Sequence, residues 1–161
     1  MSVIAKLMEK MVCTRLRHEL ESKCLLDACQ SGFRKGRCTA DPLMELVCNI
    51  KEGNDNKHPA LLAAADLSKA FDKVNHDRLL NEIKNNLPNF LGKWYRAFLK
   101  DRRYKVKWGS AVSDSCIFAT GVPQGSVSGP LLFIIYMNSL AKKLKSLNEP
   151  RLKCNSLQMT L

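Results

Sequence analysis

LLAAADLSKAFDKV, residues 61–74, puts a carboxylate at the end of an apolar run and then changes abruptly to an alternating charged pattern. Leu61 to Ala65 has the length and composition of a short buried strand, and Asp66 stands at its end. A carboxylate leaving such a strand sits at the rim of a sheet, where α/β proteins commonly place ligand and metal chemistry. A hard cation such as Mg²⁺ takes oxygen donors of this kind. Spacing alone also fits a plainer role, in which Asp66 only caps the segment Leu67 to Asp72.

Two further stretches carry chemistry. In QSGFRKGRCTADPL, residues 30–43, Ser31-Gly32 and Lys35-Gly36 break periodicity and gather Arg34, Lys35 and Arg37 on a flexible loop. Guanidinium groups held there suit bidentate contact with phosphate oxygens; a charged surface turn is the alternative. In GVPQGSVSGPLLF, residues 121–133, Gly121 and Gly125 let backbone approach a ligand, Pro123 stiffens the turn, and Gln124 offers a donor and an acceptor. This loop opens a long helix, from Val127 to about Leu147, whose N-terminus suits an anion or a base pair.

With these two stretches in the same order, DLSKAFDKVNHDRLL, residues 66–80, resembles the reverse transcriptases of non-LTR (LINE-like) retrotransposons, from about Val3 to about Lys153. The resemblance implies an α+β fold: part of the fingers (about 1–60) and part of the palm (about 61–150) of a right-hand polymerase, with helices packed on an incomplete antiparallel palm sheet and an aberrant tail at 151–161. It implies an RNA-directed DNA polymerase, with RNA template, DNA primer and deoxynucleoside triphosphates as partners. Asp66 takes the catalytic position, and Asp66 and Leu67 the Mg²⁺-binding ones. Arg34, Phe71, Gln124 and Gly125 fall at the incoming nucleotide and forming base pair. Lys35, Arg37, Arg102, Arg103, Lys105 and Lys107 are the candidate nucleic-acid contacts. In the family the ring at the Phe71 position lies under the sugar, where it would collide with a ribose 2′-OH and so favour deoxynucleotides. Read without the family, Phe71 is an ordinary core aromatic and Asp72 a local cap or the ion-pair partner of Lys69 or Lys73. The family usually has Leu where Ser128 stands.

Composition agrees with such partners without selecting one. A chain of 161 residues that is 45% hydrophobic can bury one core, so a single domain is expected. A net charge of +11 points to an anionic polymer, with RNA, DNA and an acidic membrane face fitting equally on charge alone. The seven cysteines are odd in number and form no CxxC pair, which fits reduced, packing thiols of an intracellular protein. Met1 opens no secretory pattern, and the longest apolar run, Leu131 to Met137, is far short of a membrane span. A soluble intracellular protein is the expectation.

Helical periodicity fills the remaining text. Val3 to Leu25 predicts an amphipathic helix burying Ile4, Leu7, Met8, Met11, Val12, Leu16 and Leu20, with Lys6, Lys10, Arg15 and Arg17 on the outer face. Thr39-Ala-Asp-Pro starts a second, with Leu43, Leu46, Val47 and Ile50 as its buried stripe and an end near Gly53. Leu79, Leu80, Ile83 and Leu87 mark a third, and Pro88 starts a fourth; both are expected on the palm sheet. Tyr104 to Gly109 and Ser115 to Ala119 read as a hairpin, whose Arg102, Arg103, Lys105 and Lys107 face phosphates or simply solvent.

Two-metal phosphoryl transfer joins its ions with carboxylates from more than one strand. In this family the second set is an Ala-Asp-Asp hairpin after the long helix, yet no Asp follows Asp114 and no Asp-Asp occurs anywhere. The expectations are therefore a chain truncated at both ends, without a thumb, that does not polymerise by itself, and a marginally stable sheet with an exposed edge. A non-enzymatic remnant, either a basic nucleic-acid-binding module or a pseudogene product with no partner, is the other function class. The tail LKCNSLQMTL, residues 152–161, suggests why the motif is missing. Met159 has a single codon, ATG, and with CAG for Gln158 after a G-ending Leu157 codon, the shifted frame reads Ala-Asp-Asp. A frameshift, a sequencing slip or a misplaced exon boundary between about Leu147 and Asn155 is the corresponding expectation.

Overall fold

Local capping chemistry places the helices. Ser2 opens α1 (Val3–Ser22) by accepting the Ala5 amide on its hydroxyl at 3.2 Å. Cys24, with φ of +49°, turns the chain out of it. Asn75 caps α3 (His76–Asn86) through the Arg78 amide at 2.9 Å. Pro88 precedes α4 (Asn89–Leu99) with its φ already set for a turn. Between these lies α2 (Ala40–Asp55), and the long helix is α5 (Gly129–Ser146). The computed structural model describes residues 2–58 and 61–146, so the expected frameshift between about Leu147 and Asn155 and the expected aberrant tail at 151–161 lie outside the described residues.

The core is helical. Leu16 and Leu20 of α1, Leu79 and Ile83 of α3, Leu91, Tyr95 and Leu99 of α4, and Leu131 to Ile135 of α5 are buried in one cluster. Consecutive burial along five positions of α5 means that it is surrounded, as a helix apolar on every side must be. The helices thus pack on one another, with α3 against both α4 and α5. Among the described residues the strands form only a small antiparallel ribbon, so the helix-and-sheet mixture of the expected α+β fold is present without a sheet under these helices.

Strand structure among the described residues is one ribbon. In it β1 (Arg103–Tyr104) pairs antiparallel with β4 (Cys116–Ile117), and β2 (Lys107–Trp108) with β3 (Ala111–Val112). The turn is Gly109-Ser110, with Gly109 at φ +59°, the conformation that a two-residue type II′ hairpin requires at its first position. Register slips by one between the two pairings, since Lys105 and Val106 face Ser113, Asp114 and Ser115. The Ser113 amide donates to the Val106 carbonyl and its hydroxyl accepts the Val106 amide, both at 2.9 Å, so the bulge is stitched by one residue. Every strand residue is exposed.

Four expectations are corrected. Leu61 to Ala65 is neither strand nor buried, and Leu61 is 97% accessible. A strand exists only through its neighbours, and among the described residues no strand lies beside this run to pair its amides and carbonyls. Of the expected stripe of α1, Leu16 and Leu20 are buried as read, but Ile4, Leu7, Met8 and Met11 face outward, and Glu9 and Cys13 are buried in their place. Likewise α2 buries only Pro42, leaving Leu43 and Val47 exposed and Leu46 and Ile50 half-buried. Six cysteines are described, with no disulfide among the described residues, but only Cys13 is a buried packing residue. No helix among the described residues is long and apolar enough to cross a membrane.

Candidate nucleic-acid interface

The turn after Asp66 and the loop before α5 meet edge to edge. The Gly121 amide donates to the Val74 carbonyl at 2.8 Å, and the Val122 amide to the Phe71 carbonyl at 2.9 Å. The Gly121 carbonyl lies 2.7 Å from His76 Nε2, which makes His76 a donor in this contact. At the rim, Gln124 Nε2 donates to Asp72 Oδ1 at 3.4 Å. Asp72 therefore faces Gln124; its expected ion pair with Lys69 or Lys73 is not formed. Gly121, Val122 and Pro123 are buried by the docking, and Gln124 and Gly125 are left exposed above it.

Phe71 is half-buried beside this seam, its ring stacked on Phe133 of α5 at 4.4 Å and 26°. Phe33, from the basic loop, meets it edge-on at 6.1 Å and 85°. Stacked and edge-to-face contacts of this kind hold a ring plane in place. Phe33 has φ of +57°, a left-handed conformation unusual for a bulky residue, so the loop is bent sharply where it brings that ring to Phe71. Three phenylalanines far apart in the chain thus join the basic loop, the Asp66 turn and α5.

Arg34 is engaged within the protein. Its Nε and second terminal nitrogen donate to the two Glu21 carboxylate oxygens at 3.0 and 2.6 Å, and the remaining terminal nitrogen donates to the Asp27 and Gln30 carbonyls at 3.0 and 3.3 Å. The Arg34 hydrogen bond holds the Glu21 carboxyl below its ordinary pKa. Asn138 of α5 clamps the same loop from the other side, accepting the Asp27 amide and donating to the Leu25 carbonyl, each at 2.8 Å. Arg37 donates to the Ala28 carbonyl at 2.6 Å, and Lys35 is exposed. Arg103, Lys105 and Lys107 are exposed on the ribbon, while the Arg102 guanidinium lies 4.8 Å over the Phe98 ring.

Asp66 is exposed, followed by an exposed Leu67 that offers only its carbonyl oxygen as a donor. Among the described residues no three His, Cys, Asp or Glu side chains gather as a metal site. The donors present at Asp66 therefore do not by themselves fit a two-metal centre.

Several residues that build this interface escape sequence reasoning. Glu21 of α1 and Asn138 carry its contacts, and Glu9 of α1 meets Ser128 just before α5, yet each sits in helical text as an unremarkable polar residue. The one available signal is the spacing of Glu9, Cys13, Leu16 and Leu20, a regular helical stripe once the glutamate is allowed into it.

Residues 1–157 match the family described as reverse transcriptase (RNA-dependent DNA polymerase). The chain is 35% identical over 137 residues to the probable RNA-directed DNA polymerase from transposon X-element of Drosophila melanogaster, covering 85% of this chain and 15% of that protein. Identity to the probable RNA-directed DNA polymerase from transposon BS of the same species is 32% over 140 residues, covering 87% and 16%. With the RNA-directed DNA polymerase from mobile element jockey it is 32% over 137 residues, covering 85% and 15%. The chain thus spans about 15% of the length of these curated relatives.

Proposed function

The chain belongs to the reverse transcriptase (RNA-dependent DNA polymerase) family, and we propose that it is the portion of a non-LTR retrotransposon polymerase that receives the incoming nucleotide and the template base. Residues of about 1–60 correspond to fingers and 61–150 to palm. The observation that supports this assignment is the docking of the Gly121–Gln124 loop on the Phe71–His76 turn, which bonds the Val122 amide to the Phe71 carbonyl and the Gln124 side chain to Asp72. Gln124 and Gly125 are assigned to the template and forming base pair, Phe71 to the sugar of a deoxynucleoside triphosphate, and Arg34 to its phosphates. Lys35, Arg37, Arg102, Arg103, Lys105 and Lys107 are assigned to RNA template and DNA primer phosphates, consistent with the +11 net charge.

Asp66 and Leu67 are assigned to the family's Mg²⁺, as one part of a larger donor set. A single carboxylate supports no two-metal transfer. The 161-residue polypeptide by itself is therefore proposed to bind a primer–template without extending it. The test offers an RNA template annealed to a DNA primer, with Mg²⁺ and deoxynucleoside triphosphates. Binding that weakens steeply with salt, and no extension, is the expected result. Robust extension abolished by Asp66→Ala would overturn the inactivity, and no binding even at low salt would overturn the assignment. A non-enzymatic, basic nucleic-acid-binding remnant is the competing function, since charge alone would serve it. It is favoured instead if Gln124→Ala and Phe71→Ala leave primer–template affinity unchanged while loss of ribbon lysines lowers it.

A further inference from the structure

Glu9 is fully buried, and its Oε1 accepts both the backbone amide of Ser128, at 2.9 Å, and the Ser128 hydroxyl, at 2.6 Å. Ser128 directly precedes α5, and its carbonyl receives the Leu132 amide at 2.8 Å, so the carboxylate stands at the N-terminal end of that helix. Unpaired amides and the helix dipole favour a negative charge at this end. One turn along α1, the Cys13 thiol lies 3.8 Å from the Val127 carbonyl. These contacts bridge more than 110 residues of chain.

Stability alone does not call for a glutamate here. A buried carboxylate is costly unless fully hydrogen-bonded, and an apolar pair of similar volume often serves a core as well or better. Glu9 Oε2 and the neighbouring Tyr95 hydroxyl both lack a partner among the described residues, so the cost is only partly offset. Placement offers a better reason. Ser128 is the residue at which the Gly121–Ser126 loop is anchored to the helical core, opposite the seam with Phe71 and Val74. Farther along the same helix, Glu21 grips Arg34. Twelve helical residues span about 18 Å, so one rigid element carries an acidic anchor for each of the two loops.

We propose that α1 is a spacer that sets the separation of the Arg34 and Gln124 loops, and that Glu9 is the positioning residue that fixes the second. The proposal rests on the assignment of those loops to nucleotide and base pair. Serine at position 128 supplies a second donor to the carboxylate, which a leucine there would not.

Residue-resolved amide hydrogen exchange of the whole chain tests this with Glu9→Gln, Ser128→Ala and the double variant. Glutamine keeps the shape but removes the charge that strengthens both hydrogen bonds. Glu9→Gln is expected to raise exchange of the Gly121 and Val122 amides at least tenfold, while the Ile83 and Leu91 amides of the core change less than twofold. Ser128→Ala, which keeps the amide contact, is expected to do the same to a smaller extent, and its effect is expected to shrink when Glu9 is already Gln. A uniform rise across the chain would make Glu9 merely a stability residue and overturn the proposal, as would no rise at Gly121. Should Glu9→Gln fail to fold, a Ser128→Ala variant with unchanged local exchange overturns it equally. The primer–template affinity of Gln124→Ala judges the loop's function separately, whichever way the exchange result falls.

Discussion

A β-carbon on Gly121 would stand 2.9 Å from both the α-carbon and the carbonyl oxygen of Asp72. No side chain fits there, and the φ of +92° at Gly121 is itself one that L-residues rarely adopt. Gly121→Ala is therefore expected to cost about 2–5 kcal/mol, the sum of left-handed strain and overpacking. Gly125, at φ +73° with nothing within 4 Å of a built β-carbon, provides the control. Its replacement by Ala should cost only the conformational part, about 1–2 kcal/mol. Urea midpoints of the two variants measure the difference.

Arg34→Lys keeps the charge and loses the fork, so it should loosen the basic loop in a pH-dependent way. The Arg34 hydrogen bond depresses the folded-state pKa of Glu21 below its ordinary 4.5. A depressed carboxylate contributes stability that is fully present above 4.5 and is lost as pH falls through the lower, folded-state value. The advantage of the wild-type chain over Arg34→Lys should accordingly be largest near neutrality and shrink on acidification. Denaturation series at several pH values check it; a difference that grows as pH falls would contradict the assignment of the pair.

Lys105 and Lys107 lie exposed on the ribbon. If both meet phosphates, replacing the two by Ala should reduce the slope of log affinity against log salt by about 1.4–1.8. The loss should be uniform across template sequences, because phosphate contacts carry no base information. Primer–template titrations at graded salt read both quantities.

Leu61→Lys tests the correction of the apolar run. At 97% accessibility, the side chain contributes little burial, so the substitution should change stability by no more than about 0.5 kcal/mol. A buried central strand would lose several kcal/mol from the same change. A thermal or urea melt of this variant distinguishes them.

Local signals determined much of the architecture. Asn75 and Pro88 mark the starts of α3 and α4, and Leu79 with Ile83, or Leu91 with Tyr95 and Leu99, repeat at a helix's own period. The Gly121–Ser126 text correctly announces the opening of α5, and the ribbon lies where its alternation was read, although Gly109, expected to end the first strand, makes the turn. Each of these depends on hydrogen bonds and steric limits reaching only a few residues, so the sequence holds the full cause. The three family motifs were legible for the same reason, as short runs of fixed order.

Which faces of α1 and α2 are buried was decided only by tertiary structure. Periodicity favours Ile4, Leu7, Met8 and Met11 as the inner stripe of α1, yet the helix turns Glu9 inward because the start of α5 presents donors there. The strand character of Leu61 to Ala65 is unrealised because strands depend on ladder partners elsewhere in the chain. Phe71 meets Phe133, and Gly121 covers Asp72, across roughly fifty or more residues. Contacts at that range are selected by how whole helices pack, which no single window of sequence encodes.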